Sequence, residues 1–203
     1  MGPPFVGVAC GMRHSLAPDP WAPNIPAPMP VSQDPLPISM MVCGRAGAGT
    51  RLTSDHYVLG TWQKFQLPRV KFILPYWPKQ PVTLNGRFRM PSWYDIKSLY
   101  RIASNKDEAG MNTSMLKIKK FIESEINSGI PAGRIVLGGF SQGDAMTLFT
   151  GLQSEYRLGG LAVLSGYLPI RDRILKRATD ASKSVPIFQA HGTTDEVVLL
   201  QYG

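Results

Sequence analysis

The sequence predicts an α/β fold, a mostly parallel sheet with helices on both faces. Three observations predict it. Short apolar runs of strand character alternate with helical patterns, one long helix keeps its apolar residues on a single face, and a glycine-flanked serine stands where a strand gives way to a helix. With 203 residues, 43% of them hydrophobic and 18% charged, the chain can bury one substantial core. The folded part is expected over residues 61–203, behind a proline-rich and poorly ordered segment 1–60.

In chain order, the ten prolines of residues 1–37 exclude a long helix or a central strand. Ile38–Cys43 has the pattern of a short strand and runs into a glycine-rich stretch, residues 44–51. Val70–Leu74 is an apolar strand closed by Pro75. Met111, Met115, Ile118, Ile122 and Ile126 recur at the spacing of one helical face, and Gly129 and Pro131 end that helix. Arg134–Leu137 reads as a buried strand, Asp144–Leu152 as a helix, and Leu161–Leu164 and Ile187–Ala190 as two further strands.

Composition removes several classes of function. Cys10 and Cys43 are too few for a disulfide scaffold and form no C-x-x-C pair, so a reducing, intracellular setting is expected and no metal site is predicted. The longest apolar candidate, Leu158–Ile170, is interrupted by Ser165, glycines and Pro169, and no membrane span is expected. The start, MGPPFVGVACGMRH, lacks the charged region of a targeting segment. The net charge of +8 arises within residues 61–203 and is spread over Lys117, Lys119 and Lys120 and a looser group at Arg171, Arg173, Lys176 and Arg177. Without interleaved aromatics this predicts a solvated basic surface and no nucleic-acid partner; attraction to an anionic membrane or an acidic protein is the second reading.

The chemistry centres on VLGGFSQGDA, Val136–Ala145. A serine hydroxyl is a weak nucleophile until a base takes its proton, and a sharp strand-to-helix turn presents it to base and substrate together. Gly139 and Gly143 keep side chains away from such a turn. The helix that follows aims its amides at the reacting carbonyl, and the backbone amide of Gln142 is placed to donate to an oxyanion. Ser141 is therefore the candidate nucleophile, against a purely structural glycine turn. Asp195, in the loop after the second strand beyond it, is the candidate acid; Asp172 and Asp180 fit less well. The chain's histidines are His14, His56 and His191. None follows Asp195, and His191, at a strand end, is expected to make a structural hydrogen bond.

PVTLNGRFRMPSWYDIKSL (Pro81–Leu99), DEAG (Asp107–Gly110), GIPAGRIVLGGFSQG (Gly129–Gly143), LSGYLP (Leu164–Pro169) and PIFQAHGTTDEVV (Pro186–Val198) together resemble the acyl-protein thioesterase and lysophospholipase family of α/β-hydrolases, the fungal type especially. The resemblance implies a cytosolic or nuclear hydrolase that removes palmitate from protein cysteines and cleaves lysophospholipids and simple carboxyl esters, with no metal or cofactor. By position it implies Ser141 as nucleophile, Gln142 as backbone oxyanion donor, Asp195 as triad acid and Trp93 at the substrate groove, an ordinary core aromatic being the other reading of Trp93. The chain departs from the family in three places. MMVCGRAGAGTRLTSD occupies the position of the HGLGD-type oxyanion loop; Gly44 and Gly49 have phosphate-loop separation, but Thr50-Arg51 stands where Lys-Ser/Thr is needed. The matching sequence stops at Gly203, before the family's last strand, helix and catalytic histidine. Asp144 replaces a glycine, and its charge should oppose reaction unless it points to solvent. The alternative to an active thioesterase is an impaired, truncated form or a pseudoenzyme that only binds acyl chains.

Overall fold

The computed structural model describes residues 38–43, 70–75, 79–98 and 107–203. Expectations for 1–37, for His14 and His56 and for the glycine-rich stretch 44–51 lie outside them. By packing the chain divides after Pro35, and every described residue belongs to the unit Leu36–Gly203.

Five strands form one parallel sheet: β1 (Ile38–Cys43), β2 (Val70–Ile73), β5 (Ile135–Phe140), β6 (Gly160–Leu164) and β7 (Ile187–Ala190), in the order β2-β1-β5-β6-β7. β5 is central. Its Ile135 and Leu137 are fully buried, as its apolar run predicts. The registers Phe140↔Leu164 and Leu164↔Ala190 bring the ends of β5, β6 and β7 into line, so the turns that follow them share the carboxyl edge of the sheet.

Helix α1 (Glu108–Asn127) buries Met111, Ile118 and Ile122, the face the spacing predicts. It starts and stops for local reasons. The Asp107 carboxylate accepts from the Gly110 amide at 3.0 Å, and at the other end Gly129 takes φ +95° while Ile130 donates back to the Glu125 carbonyl. Helix α2 (Gln142–Gly151) is buried almost all round, packed on β5 and β6 and against α1. Met146, Phe149, Ile118, Ile122 and Leu137 meet there in the core, and each such side chain stabilises the fold by about 1.5–3 kcal/mol.

Three features differ from the sequence expectation. β3 (Lys79–Val82) and β4 (Phe88–Pro91) form a separate antiparallel ribbon, turned through Gly86 and Arg87, both at φ 62°. Neither strand has an apolar run and each carries a proline. A two-stranded ribbon accepts these because each strand has a free edge. Two short helices, α3 (Arg171–Arg177) and α4 (Asp180–Lys183), occupy the connection before β7 and hold Asp172 and Asp180. The sheet is also not covered on both faces throughout: β7 is its edge, all four residues are exposed, and Ile187 and Phe188 show 46% and 37% of their surface.

The basic group of α3 is partly engaged within the molecule. Arg173 and Arg177 reach Glu108 at 2.5 and 2.8 Å and tie α3 to the first turn of α1. Hydrogen bonding from Arg177, with its charge and that of Arg173, holds the Glu108 carboxyl below its ordinary range.

Candidate active site

Ser141 follows β5 directly and takes φ 56°, ψ −115°, a left-handed conformation that costs a non-glycine residue about 1–3 kcal/mol. Tertiary contacts hold it there. Its amide donates to the Leu164 carbonyl at 2.9 Å, and its carbonyl accepts from Ala145 at 3.2 Å to open α2. A Cβ at Gly139 would overlap the backbone of Gly143 and the Asp144 amide, so the strand end can approach the helix start only with glycine at 139. Ser141 is half-buried and its hydroxyl caps no amide of the helix.

The Gln142 side chain does work that the sequence did not indicate. Its Oε1 accepts from the Trp93 amide at 3.1 Å; its Nε2 donates to the Tyr94 carbonyl at 2.8 Å and to Ser92 Oγ at 3.0 Å, while the Ser92 hydroxyl itself donates to the Tyr94 carbonyl at 2.6 Å. Ser114 Oγ of α1 donates to the Trp93 carbonyl. The segment Ser92–Tyr94 is thus clamped between the elbow and α1. The Trp93 ring, 3% exposed, packs in the core cluster. Asp107 extends the same chain of contacts, its Oδ2 accepting from the Asp95 amide at 2.6 Å, while Asp95 accepts from Thr83. Gly110 leaves room beside it: a Cβ there would displace the Asp107 carboxylate from its cap.

Replacing Gln142 with alanine removes three hydrogen bonds and leaves a cavity in a closed interior. The expected loss is about 3 kcal/mol. Urea unfolding with an unchanged slope reads it directly, and a midpoint within error of the parent would show that the clamp is dispensable.

Asp195 lies in the turn after β7. Its Oδ1 accepts from the amides of Val197 and Val198, each at 2.9 Å, which fixes one oxygen and leaves Oδ2 at 3.7 Å from His191 Nε2. The His191 ring is turned into its own loop: Nε2 meets the Val198 carbonyl at 2.6 Å, Gly203 packs against Nδ1, and the side chain is 4% exposed. This is the structural hydrogen bond expected at that strand end. Ser141 and Asp195 stand on turns, and Gln142 opens α2, at the carboxyl edge of the sheet, whereas Trp93 lies in the core.

Asp144 does not point to solvent. It is 2% exposed, and burial pushes its carboxyl up to about 7, opposed by a hydrogen bond from the Gly166 amide. Beside it, the hydroxyls of Tyr94 and Tyr167 meet at 2.7 Å, and burial first, then Tyr167, pushes the Tyr94 phenol well above its ordinary value. Ser92, Ser114 and Tyr167 had no chemical signature in the sequence. Ser92 and Tyr167 fall in segments of the family resemblance, and Ser114 in the helix read from its apolar spacing.

A central strand ending in a left-handed serine, a helix springing from it, and an acid after the second strand beyond define the α/β-hydrolase fold. A family model described as phospholipase/carboxylesterase matches residues 52–203, and the chain belongs to that family. It is 47% identical over 138 residues to acyl-protein thioesterase 1 of Yarrowia lipolytica, covering 68% of this chain and 61% of that protein. To acyl-protein thioesterase 1 of Neurospora crassa it is 46% identical over 149 residues, covering 70% and 61%. The chain thus spans about three fifths of the length of these relatives. The crystal structure of Arabidopsis thaliana SOBER1 superposes with a TM-score of 0.73 at 28% identity, covering 81% of this chain and 78% of that one. Acyl-protein thioesterase 2 of Zea mays, at 23% identity and a TM-score of 0.68 over 84% and 77%, shares the fold. No helix among the described residues is long and apolar enough to cross a membrane.

Proposed function

We propose that this chain carries the core of a serine hydrolase of the acyl-protein thioesterase type, which removes palmitoyl groups from protein cysteines and also accepts lysophospholipids and simple esters. The observation that carries the reading is Ser141 itself, held in a strained left-handed turn with its hydroxyl free of the helix it starts. In this scheme Ser141 Oγ attacks the thioester carbonyl carbon and its proton passes to an imidazole. The Gln142 backbone amide, in the first turn of α2, receives the oxyanion. The proton then goes to the departing thiolate, and water releases the fatty acid from the acyl-serine.

Asp195 is assigned the orientation of that imidazole, because its Oδ1 is anchored by the loop and Oδ2 remains for a ring nitrogen. The imidazole is not His191, whose ring is engaged with Val198 and enclosed by its own loop; the role falls to the catalytic histidine that the family resemblance implies beyond the matching sequence. Trp93 is assigned a supporting place beneath the acyl groove, its ring packed in the core and its amide held by the Gln142 side chain. The scheme uses only a hydroxyl, a carboxylate, an imidazole and amides, so it calls for no metal or cofactor. The cytoplasm or nucleus is the compartment proposed for it, in keeping with cysteine usage too sparse for a disulfide framework.

A fluorophosphonate probe tests the reading on the protein as it stands. The expected result is one covalent adduct, located on Ser141 by peptide mapping. No adduct beside a labelled acyl-protein thioesterase, or an adduct elsewhere, would overturn it. Turnover of a palmitoyl thioester against lysophosphatidylcholine then ranks the substrates, and the thioester is expected to be faster.

A further inference from the structure

The Asp144 carboxyl has no task in the scheme above, yet it is built into the elbow. It sits in the first turn of α2, its Oδ1 meets no hydrogen-bond partner, and its exposure is 2%. Gly166, just after β6, packs so closely that a Cβ there would overlap the Asp144 Cβ, Cγ and Oδ2. The titratable groups that bear on this cluster are phenols and a carboxyl. Tyr94 feels the Asp144 charge, Tyr167 is hydrogen-bonded to Tyr94, and Asp107 bears on Tyr94 in turn. Thr147, one turn along α2, is buried and uncharged. Among the described residues no cation is set against Asp144. A carboxylate enclosed in this way has one backbone donor and no counter-charge, so its ionised form is strongly disfavoured and its neutral form is tolerated.

We propose that Asp144 is a positioning residue for Ser141 that works as a protonation switch. As the neutral acid it completes the packing under the elbow. Once ionised it loosens the joint between Gly166 and the first turn of α2, and it sets a negative charge beside the amides that would receive an oxyanion. Only this last, catalytic part rests on the reading of Ser141 as nucleophile.

The sign follows from linkage. The native protein holds a proton that the unfolded chain, with its ordinary aspartate value of 3.8, releases. The stability this proton confers is complete below about pH 4 and is lost as the pH rises through about 7. Relative to Asp144→Asn, which mimics the neutral acid, the unfolding constant of the parent is expected to rise by roughly a hundredfold to a thousandfold between about pH 4 and pH 8. Parallel pH–stability curves for the two proteins would overturn the switch.

Aspartate-selective carboxyl ¹³C labelling reads the parent chain directly, whether or not the variant folds. One carboxyl titrating near neutral pH is expected, and ionisation of every aspartate by about pH 5 would overturn the proposal. The rate of fluorophosphonate reaction tests the catalytic part. The ratio of Asp144→Asn to parent should climb by about threefold to tenfold as the pH passes through neutrality. A flat ratio would overturn that part. If neither protein reacts at any pH, the hydrolase reading fails, while the carboxyl titration and the stability curves still decide what Asp144 does.

Discussion

Ser141→Ala is expected to abolish fluorophosphonate labelling and to lower ester turnover by about a thousandfold or more, while leaving the fold intact. The turn geometry adds a second, independent expectation. At φ 56° alanine carries the same backbone strain as serine, whereas glycine does not. Ser141→Gly should therefore be equally inactive yet more stable than Ser141→Ala by about 1 kcal/mol, or about 2–4 °C in Tm for a chain of this size. Both variants losing the adduct, with glycine the more stable, is the signature of a nucleophile held under strain. Retained labelling in either would assign the adduct elsewhere. Equal melting temperatures would mean that the turn stores no strain.

The largest stability effect is expected at Gly139. A methyl group there meets the Gly143 carbonyl and the Asp144 amide, which are backbone atoms at the start of an enclosed helix and cannot rotate away. Relief requires moving α2 off β5, in a core where Met146 and Phe149 are fully buried. Gly139→Ala is thus expected to cost about 3–5 kcal/mol, lowering Tm by roughly 6–20 °C. Gly133 provides the control, because a Cβ at that position has open space around it, and Gly133→Ala should melt within about 2 °C of the parent. Equal effects at the two positions would show that the close approach of strand and helix is not what requires glycine at 139.

The elements legible in the sequence are those whose signal is local and whose neighbours are generic. β5, β6 and β7 were readable because parallel strands have short apolar runs, and α1 because one face of it meets the core. The β3–β4 ribbon was not: Lys79–Val82 and Phe88–Pro91 have no periodic pattern, and what pairs them is the reversal at Gly86 and Arg87. At the candidate site, Ser141 and Asp195 could be proposed from spacing and order. The clamp from Gln142 to Ser92, Trp93 and Tyr94 could not, because it joins segments far apart in the chain and its partners are mostly backbone atoms.

Asp144 marks the boundary most clearly. In sequence it stands out only as a departure from the family's glycine, its charge tolerable in the first turn of a helix because of the helix dipole. Three dimensions enclose that turn between the sheet, α1 and Gly166, and the same carboxyl becomes a buried acid. The sequence by itself determined the α/β class, the glycine-flanked serine and the later acid, because these depend on short-range periodicity and chain order. Only the tertiary structure decided that the Trp93 ring lies in the core, that the partner of His191 is the Val198 carbonyl and that Asp144 is shut away from water. Burial and local dielectric are set by segments that meet only after the chain has folded.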